Sequence, residues 1–335
     1  MFGDRILAAR QALGLTQTEL AARAGVSRQL VGSVEAGRHL PRVDAAAGLA
    51  RALGLAVEDL LSPAPSTSQP VLGAALPVGT PVRVGRVGDR LVHAELPSPS
   101  SDGWAVADGV VRPDGVELLD GARPGVVVVG CDPALGLAAR LVAPAGGHVV
   151  AVVASTRAAV AALAAGRAHA VVVHGRRDAL PEPPVAVARA RLGGWRVGLA
   201  APADGTDLLD EALAGRGTVV QRAAGAGTQA AYESALALDG SAAPAGPVAE
   251  GHLEAAWLAA RLRSAAVTIE PAAIAAGLAF RALEEHVTEL WTAIDQQDVP
   301  DVRRLRESLV SPALVRRLEA VGGYDLTELG SRVSA

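Results

Sequence analysis

The stretch Thr16-Gln17-Thr18-Glu19-Leu20-Ala21-Ala22-Arg23-Ala24-Gly25-Val26-Ser27-Arg28-Gln29-Leu30-Val31-Gly32-Ser33-Val34-Glu35-Ala36-Gly37-Arg38 spells two helices and the turn between them. Thr16 and Glu19 have capping-box spacing, so the first helix starts near Gln17. Leu20, Ala21 and Ala24 give it an apolar face, and Gly25 supplies the left-handed residue that ends it. Ser27 caps the second helix, which runs through Leu30, Val31 and Val34 to a stop at Gly37. Two short helices joined at a glycine make a helix-turn-helix. Outward from it, Ile6, Leu7, Leu13 and Leu15 on one side and Leu49, Leu53, Leu55, Leu60 and Leu61 on the other complete an expected five-helix core over residues 1–62.

The whole chain has 335 residues, room for two or three compact units. It contains no lysine, so Arg supplies all 31 positive charges, and with only 2% aromatics any core is built from Ala, Val and Leu. A single cysteine, Cys131, cannot form an internal disulfide, and no signal peptide or long uncharged span is legible; a cytoplasmic protein with no membrane partner is expected. The net charge of −4 gives the chain as a whole no reason to coat nucleic acid. Locally the balance reverses: residues 1–42 carry Arg5, Arg10, Arg23, Arg28, Arg38 and Arg42 against Asp4, Glu19 and Glu35, six minus three, or +3.

After residue 62 the grammar changes. Residues 63–79, with Pro63, Pro65, Pro70 and Pro77 and no charge, read as a linker. Residues 80–122 show short Val-rich runs broken by Gly-Asp, Ser-Asp-Gly and Pro-Asp-Gly turns, a small β module. From 123 to 330 apolar runs (126–129, 149–154, 170–173, 195–200, 218–221, 265–269, 287–294) alternate with Ala/Leu-rich helical stretches, which predicts a parallel sheet buried on both faces in an α/β domain. No repeat of fixed period stands out.

In an open parallel sheet, ligands bind beyond the carboxyl ends of the strands. The residues there are Asp132, the run Ser155-Thr156-Arg157, His174, the run Gly225-Ala226-Gly227-Thr228, and Glu270, with His252 at a helix start. Gly225 and Gly227 before a helix let backbone N–H groups converge on an anion, with Thr228 adding a hydroxyl; a plain tight turn explains them equally well. Ser155 and Asp132 likewise read as ligand contacts or as simple helix caps. Asp132 repels an oxyanion whereas Arg157 attracts one, which leaves an oxyanion or a small polar metabolite as candidate effector. The seven histidines are scattered, and His169 and His174, an odd number apart on one strand, face opposite sides. With one cysteine and no close histidine pair, no metal site is expected, nor any cofactor. Trp257, with Leu253 and Leu262, is expected in the core. No Ser/His/Asp or paired-carboxylate set stands out, so no enzymatic activity is expected.

The pattern Leu-Thr-Gln-x-x-Leu-Ala, then Gly-Val-Ser, then Glu-x-Gly-Arg, met at residues 15–38, resembles the Cro/repressor-type (XRE-family) helix-turn-helix domain. The resemblance implies that Gln17 and Arg38 contact DNA phosphates and that the second helix, behind its Ser27 cap, enters the major groove of a double-stranded operator. There Arg28, Gln29 and Ser33 sit on the exposed side, residue types suited to base edges. One such domain makes few phosphate contacts, so a homodimer on two half-sites is expected. Residues 130–135, 225–229, 251–256, 277–283 and 323–325 resemble the periplasmic-binding-protein-like domain of bacterial regulators, related to molybdate-binding proteins. That implies a type II, two-lobed fold holding an effector, such as molybdate or another small ligand, between lobes. The run Trp195-Arg196-Val197-Gly198 departs from the more polar pattern of relatives. The reading is thus a ligand-responsive DNA-binding regulator, with a ligand-free dimerisation platform, or an enzyme with an appended reader, as the alternatives.

Overall fold

Capping and turn chemistry set the first helices of the computed structural model, which describes residues 2–55, 57, 60, 67–97, 105–205, 207–238 and 240–333. Helices α1 (Phe2–Ala12), α2 (Gln17–Ala24), α3 (Arg28–Glu35) and α4 (Val43–Leu53) follow in order. The capping box at α2 is present: Glu19 N donates to Thr16 Oγ1, and Thr16 N donates to the Glu19 carboxylate at 2.7 Å. Gly25 ends the helix at φ 69°, and Ser27 caps α3 by accepting from Leu30 N at 3.1 Å. Ile6, Leu20, Val31, Val34, Leu49 and Leu53 form the core. At Gly48 a Cβ would lie 2.5 Å from the Ala24 carbonyl oxygen, so only glycine lets α4 approach the end of α2 this closely. Leu13, expected in the core, is 52% exposed, because the chain turns away at Gly14 (φ 65°) directly after α1. Val57 and Leu60 are helical and pack on the core; Leu61 lies outside the described residues.

These helices belong to one unit, residues 1–66 with 114–118; residues 67–113 and 119–335 form the other. In the second unit, β1 (Ser68–Pro70), β2 (Pro81–Val87), β3 (Arg90–Glu95) and β4 (Gly109–Arg112) build the small sheet in the order β1-β3-β2-β4. Strand β5 (Gly115–Leu118) groups with the first unit. Residues 68–70, expected in the linker, are instead a strand parallel to β3; as an edge strand it tolerates Pro70. Residues 63–66 of that linker lie outside the described residues. The module shares a core with the large sheet: Val71, Val87 and Val92 pack in one cluster with Val127, Val129 and Val150.

The large sheet is built from β6 (Val126–Val129), α5 (Ala134–Val142), β7 (Val149–Val152), α6 (Thr156–Ala164), β8 (Ala170–Gly175) and β9 (Val187–Pro202). Then come α7 (Asp207–Leu213), β10 (Val219–Arg222), α8 (Gly227–Leu238), β11 (Val248–Ala249), α9 (His252–Leu262), β12 (Ala265–Ile269), α10 (Glu270–Ala275) and β13 (Leu278–Ala293). Helices α11 (Pro300–Leu309) and α12 (Pro312–Val321) and strand β14 (Tyr324–Asp325) close the chain. The strand order is β11-β10-β12-β9-β13-β8-β6-β7, with β14 on β9.

The sheet is mixed, which corrects the expectation of a parallel one: β9 and β13 run antiparallel to each other and to their neighbours β12 and β8. Each has 16 residues, against apolar runs of six (195–200) and eight (287–294) legible in the sequence, because Arg189 and Arg191 in β9 and the half-exposed stretch of β13 before His286 interrupt the apolar signal. The order β7-β6-β8-β13 in one half repeats as β11-β10-β12-β9 in the other, a structural repeat without a sequence period. Two α/β halves are thus joined through the long strands β9 and β13 in one continuous sheet. No helix among the described residues is long and apolar enough to cross a membrane.

Candidate functional site

In the first unit the exposed start of α3 carries Arg28 and Gln29, with Ser33 half-buried one turn on and Arg38 exposed beyond Gly37. Behind this face lies a network the sequence reading did not separate from the reading residues. Arg10 Nε donates to Glu35 Oε1 at 2.6 Å, and Gln17 Nε2 donates to Glu35 Oε2 at 2.8 Å. Burial raises the Glu35 carboxyl, but the hydrogen bonds from Arg10 and Gln17 outweigh it and hold the group below the ordinary range. Glu35 thus ties α1 and the start of α2 to the end of α3, and Gln17 has its amide anchored at the first turn of α2. The result is a rigid frame presenting Arg28 and Gln29 to solvent.

In the second unit, strand ends and helix starts from both halves converge on Trp195 of β9. The His174 ring, at the end of β8, lies 5.5 Å from Trp195; the His252 ring, at the start of α9, lies 6.3 Å from Trp195 and 5.8 Å from His174. The Tyr324 ring sits 5.8 Å from Trp195, and its hydroxyl donates to Asp132 Oδ1 at 3.1 Å. His174 Nδ1 is 3.0 Å from Nδ1 of His286 on β13, whose Nε2 is 3.1 Å from Glu284 Oε2. At Gly227 a Cβ would come within 3.4 Å of both the His174 and His286 rings, so the small residue lets the start of α8 close on them.

Several polar atoms here are buried without a hydrogen-bond partner: both ring nitrogens of His252, Thr228 Oγ1, Trp195 Nε1 and Arg222 Nε. Leaving such atoms unpaired costs about 1–3 kcal/mol each, so groups of this kind are paired in solution by ordered water or by a ligand. Burial, then the neighbouring His286 and Arg222, pushes His174 down to about 3, and burial holds His252 well below the usual histidine range; both rings are neutral at pH 7. Burial lifts the Asp132 carboxyl to about 6 against the hydrogen bonds from Ala134 N and Tyr324, and lifts the Cys131 thiol to about 12. The site therefore offers neutral imidazoles, a thiol, hydroxyl and indole donors and the Arg222 cation, screened from water.

Of the residues singled out from the sequence, Asp132, His174, Gly227, Thr228 and His252 come together here. Asp132 also caps α5, accepting from Ala134 N at 2.8 Å. Ser155 caps α6 by accepting from Ala158 N, and Thr156 Oγ1 bonds both the N–H and the carbonyl of His174, so these hydroxyls serve to hold the end of β8. Arg157 is exposed and reaches across to the Ala224 carbonyl at 3.4 Å. Glu270 pairs with Arg196 and lines an open cavity of about 590 Å³, whose wall also contains Trp195, His286 and Tyr324. That cavity and the buried cluster share the Trp195 and His286 side chains.

Arg222, Trp195 and His286 were missed as site residues. A usable signal existed for His286: Glu284, His286 and Thr288 are polar at a period of two within β13, which puts them on one face. The sequence also gave no reason to expect a metal site, yet His174 and His252, distant along the chain, bring ligand atoms together with Cys131, all within 4.8 Å of one another. Adjacency in sequence does not register residues that meet only at strand ends. Trp257, expected in the core, is 65% exposed on α9, with Leu253 and Leu262 exposed beside it. His169 and His174 do face opposite ways: His169 accepts from Val127 N, away from the cluster.

The helix-turn-helix family model matches residues 6–60. An uncharacterized HTH-type transcriptional regulator of Methanothermobacter thermautotrophicus is 53% identical over 45 residues, covering 13% of this chain; the chain spans 65% of that protein's length. A second uncharacterized HTH-type transcriptional regulator, from Sinorhizobium fredii, is 39% identical over 67 residues, covering 20% of this chain and 87% of the relative. Among solved structures, an ABC-type phosphate transport receptor from Vibrio cholerae is similar over 60% of this chain and 99% of its own, at 12% identity and a TM-score of 0.41. Through its first unit, the chain belongs to the family of HTH-type transcriptional regulators.

Proposed function

We propose that this regulator is a cytoplasmic, ligand-responsive protein, without enzymatic activity, that binds its operator as a homodimer. In this reading α3 enters the major groove, Arg28 and Gln29 read base edges with Ser33 beside them, and Gln17, Ser27 and Arg38 fix the register on phosphates. The effector, an oxyanion such as molybdate or a small polar metabolite, sits in the cleft of the second unit. The observation that carries this reading is the convergence of buried, unpaired polar atoms on His252, Thr228, Trp195 and Arg222. A ligand-free structural platform would fill that place with Ala and Val; a polar, unsatisfied cluster favours the ligand.

To act as a switch, the effector must bind one arrangement of the protein more tightly than the other. Thermal unfolding of the full chain against a panel of oxyanions and small zwitterions tests this, since a ligand that binds only the folded form adds RT ln(1 + [L]/Kd) to its stability. The expected result is stabilisation by one class that disappears in His252→Gln and Thr228→Val. A normal response in both variants would place the ligand elsewhere. On the reader, Arg38→Ala is expected to weaken binding to all DNA sequences and to lower the salt slope by about one.

A further inference from the structure

We propose that Cys131, His174 and His252 form a binding site for a borderline divalent transition-metal ion of the Zn²⁺ class. Their ligand atoms lie within 4.8 Å of one another, and the residues are 4%, 5% and 1% exposed. Tetrahedral bonds of about 2.3 Å to sulfur and about 2.0–2.1 Å to nitrogen space ligand atoms roughly 3.3–3.6 Å apart, so small side-chain adjustments complete the geometry. One thiolate and two imidazoles suit zinc-like ions rather than Mg²⁺ or Ca²⁺.

Two further observations point to a ligand. His252 is buried with neither ring nitrogen partnered, although a neutral imidazole carries one donor and one lone pair. The hydrogen bonds around His174 favour the tautomer that a metal-bound histidine has. The Glu284 carboxylate accepts a hydrogen bond from His286 Nε2–H, which leaves His286 Nδ1 to accept from His174 Nδ1–H. That chain of hydrogen bonds places the His174 proton on Nδ1 and leaves the Nε2 lone pair free for a ligand, the carboxylate-backed arrangement that fixes the tautomer at metal centres. The three protein ligands come from β6–α5, β8 and α9, so the ion would bridge the two halves of the sheet. A fourth position stays open for water or a donor atom of the effector, and an anionic donor there would offset the nearby Arg222 charge.

The inference stands apart from the regulatory reading, because metal loading and operator binding are measured separately. The full-length chain, stripped with chelator, is titrated with Co²⁺ and then Zn²⁺. One Co²⁺ per chain is expected, with the intense visible bands of a tetrahedral site and a thiolate-to-cobalt charge-transfer band, all bleached by one equivalent of Zn²⁺. Cys131→Ser, a near-isosteric change, should abolish the charge-transfer band and weaken Zn²⁺ binding at least tenfold while the metal-free unfolding midpoint holds. His252→Gln should lower Co²⁺ affinity and shift the visible bands; His39→Gln, on an exposed loop, should change nothing. No stoichiometric Co²⁺ uptake, or an unchanged spectrum in Cys131→Ser, overturns the proposal. Loading without any change in DNA affinity leaves the metal site standing and removes only a regulatory role for it.

Discussion

The two units use buried polar groups in opposite ways. In the first, Glu35 is matched by Arg10 and Gln17, so the polar network closes on itself and stiffens the frame behind α3. In the second, His252, Thr228, Trp195 and Arg222 keep atoms unmatched at the place where strand ends from both halves meet. A satisfied network serves a surface that must hold one shape against its partner. An unsatisfied one fits the proposed ligand site, where the binding energy would include relief of the unpaired groups.

The largest expected effect separates the units by stability. Leu49→Ala empties a fully buried position in the first core and should cost about 3 kcal/mol there. By calorimetry, one transition should move and the other, belonging to the second unit, should stay. Simultaneous loss of both transitions would show that the units unfold as one.

Next, Glu35→Ala should cost about 2 kcal/mol, since it leaves Arg10 and Gln17 without their charged acceptor. The folded Glu35 ionises below its ordinary value, so its stabilisation is full above the ordinary value and is lost as pH falls from there through the lower folded value. Acid unfolding of the first unit should therefore be shallower in Glu35→Ala than in the parent, and equal slopes would deny Glu35 this role.

How much of this was legible beforehand differs between the units for the same physical reason. The capping box, Gly25 and the Ser27 cap are local, so residues 16–38 declare their helices in one dimension. In the second unit the helices and buried strands were legible by apolar runs, but the antiparallel course of β9 and β13 was not, because Arg189, Arg191 and Glu289 form a buried ion-pair group that breaks the apolar pattern. The cleft was half legible: strand-end logic found Asp132, His174, Thr228 and His252, whereas His286 sits in mid-strand and joins only through long-range pairing. The same locality argument explains why the metal-ligand set was invisible.

A smaller effect sharpens the functional side of the contrast. Gln29→Ala should weaken specific operator binding by about 1.5 kcal/mol and relax base preference at one position, measured against a non-specific duplex. An equal loss on both duplexes would reassign Gln29 to the backbone. Smallest of all in stability is Thr228→Val, which replaces a buried, unpaired hydroxyl by a methyl of the same shape. The ligand-free protein should change by less than about 0.5 kcal/mol, in the stabilising direction. A substantial destabilisation would mean that the hydroxyl is structural.

If the regulator is a switch, occupancy of the second unit and DNA binding by the first are linked. Native mass spectrometry of the freshly purified full chain, mixed with less than one equivalent of an operator duplex, reads both at once. Linkage requires the fraction carrying a retained small molecule or ion to differ between free and DNA-bound protein, by fivefold or more for a coupling in the usual 1–3 kcal/mol range. That unequal partition is the predicted result; equal occupancy in the two populations, or bare chain mass in both, would contradict it.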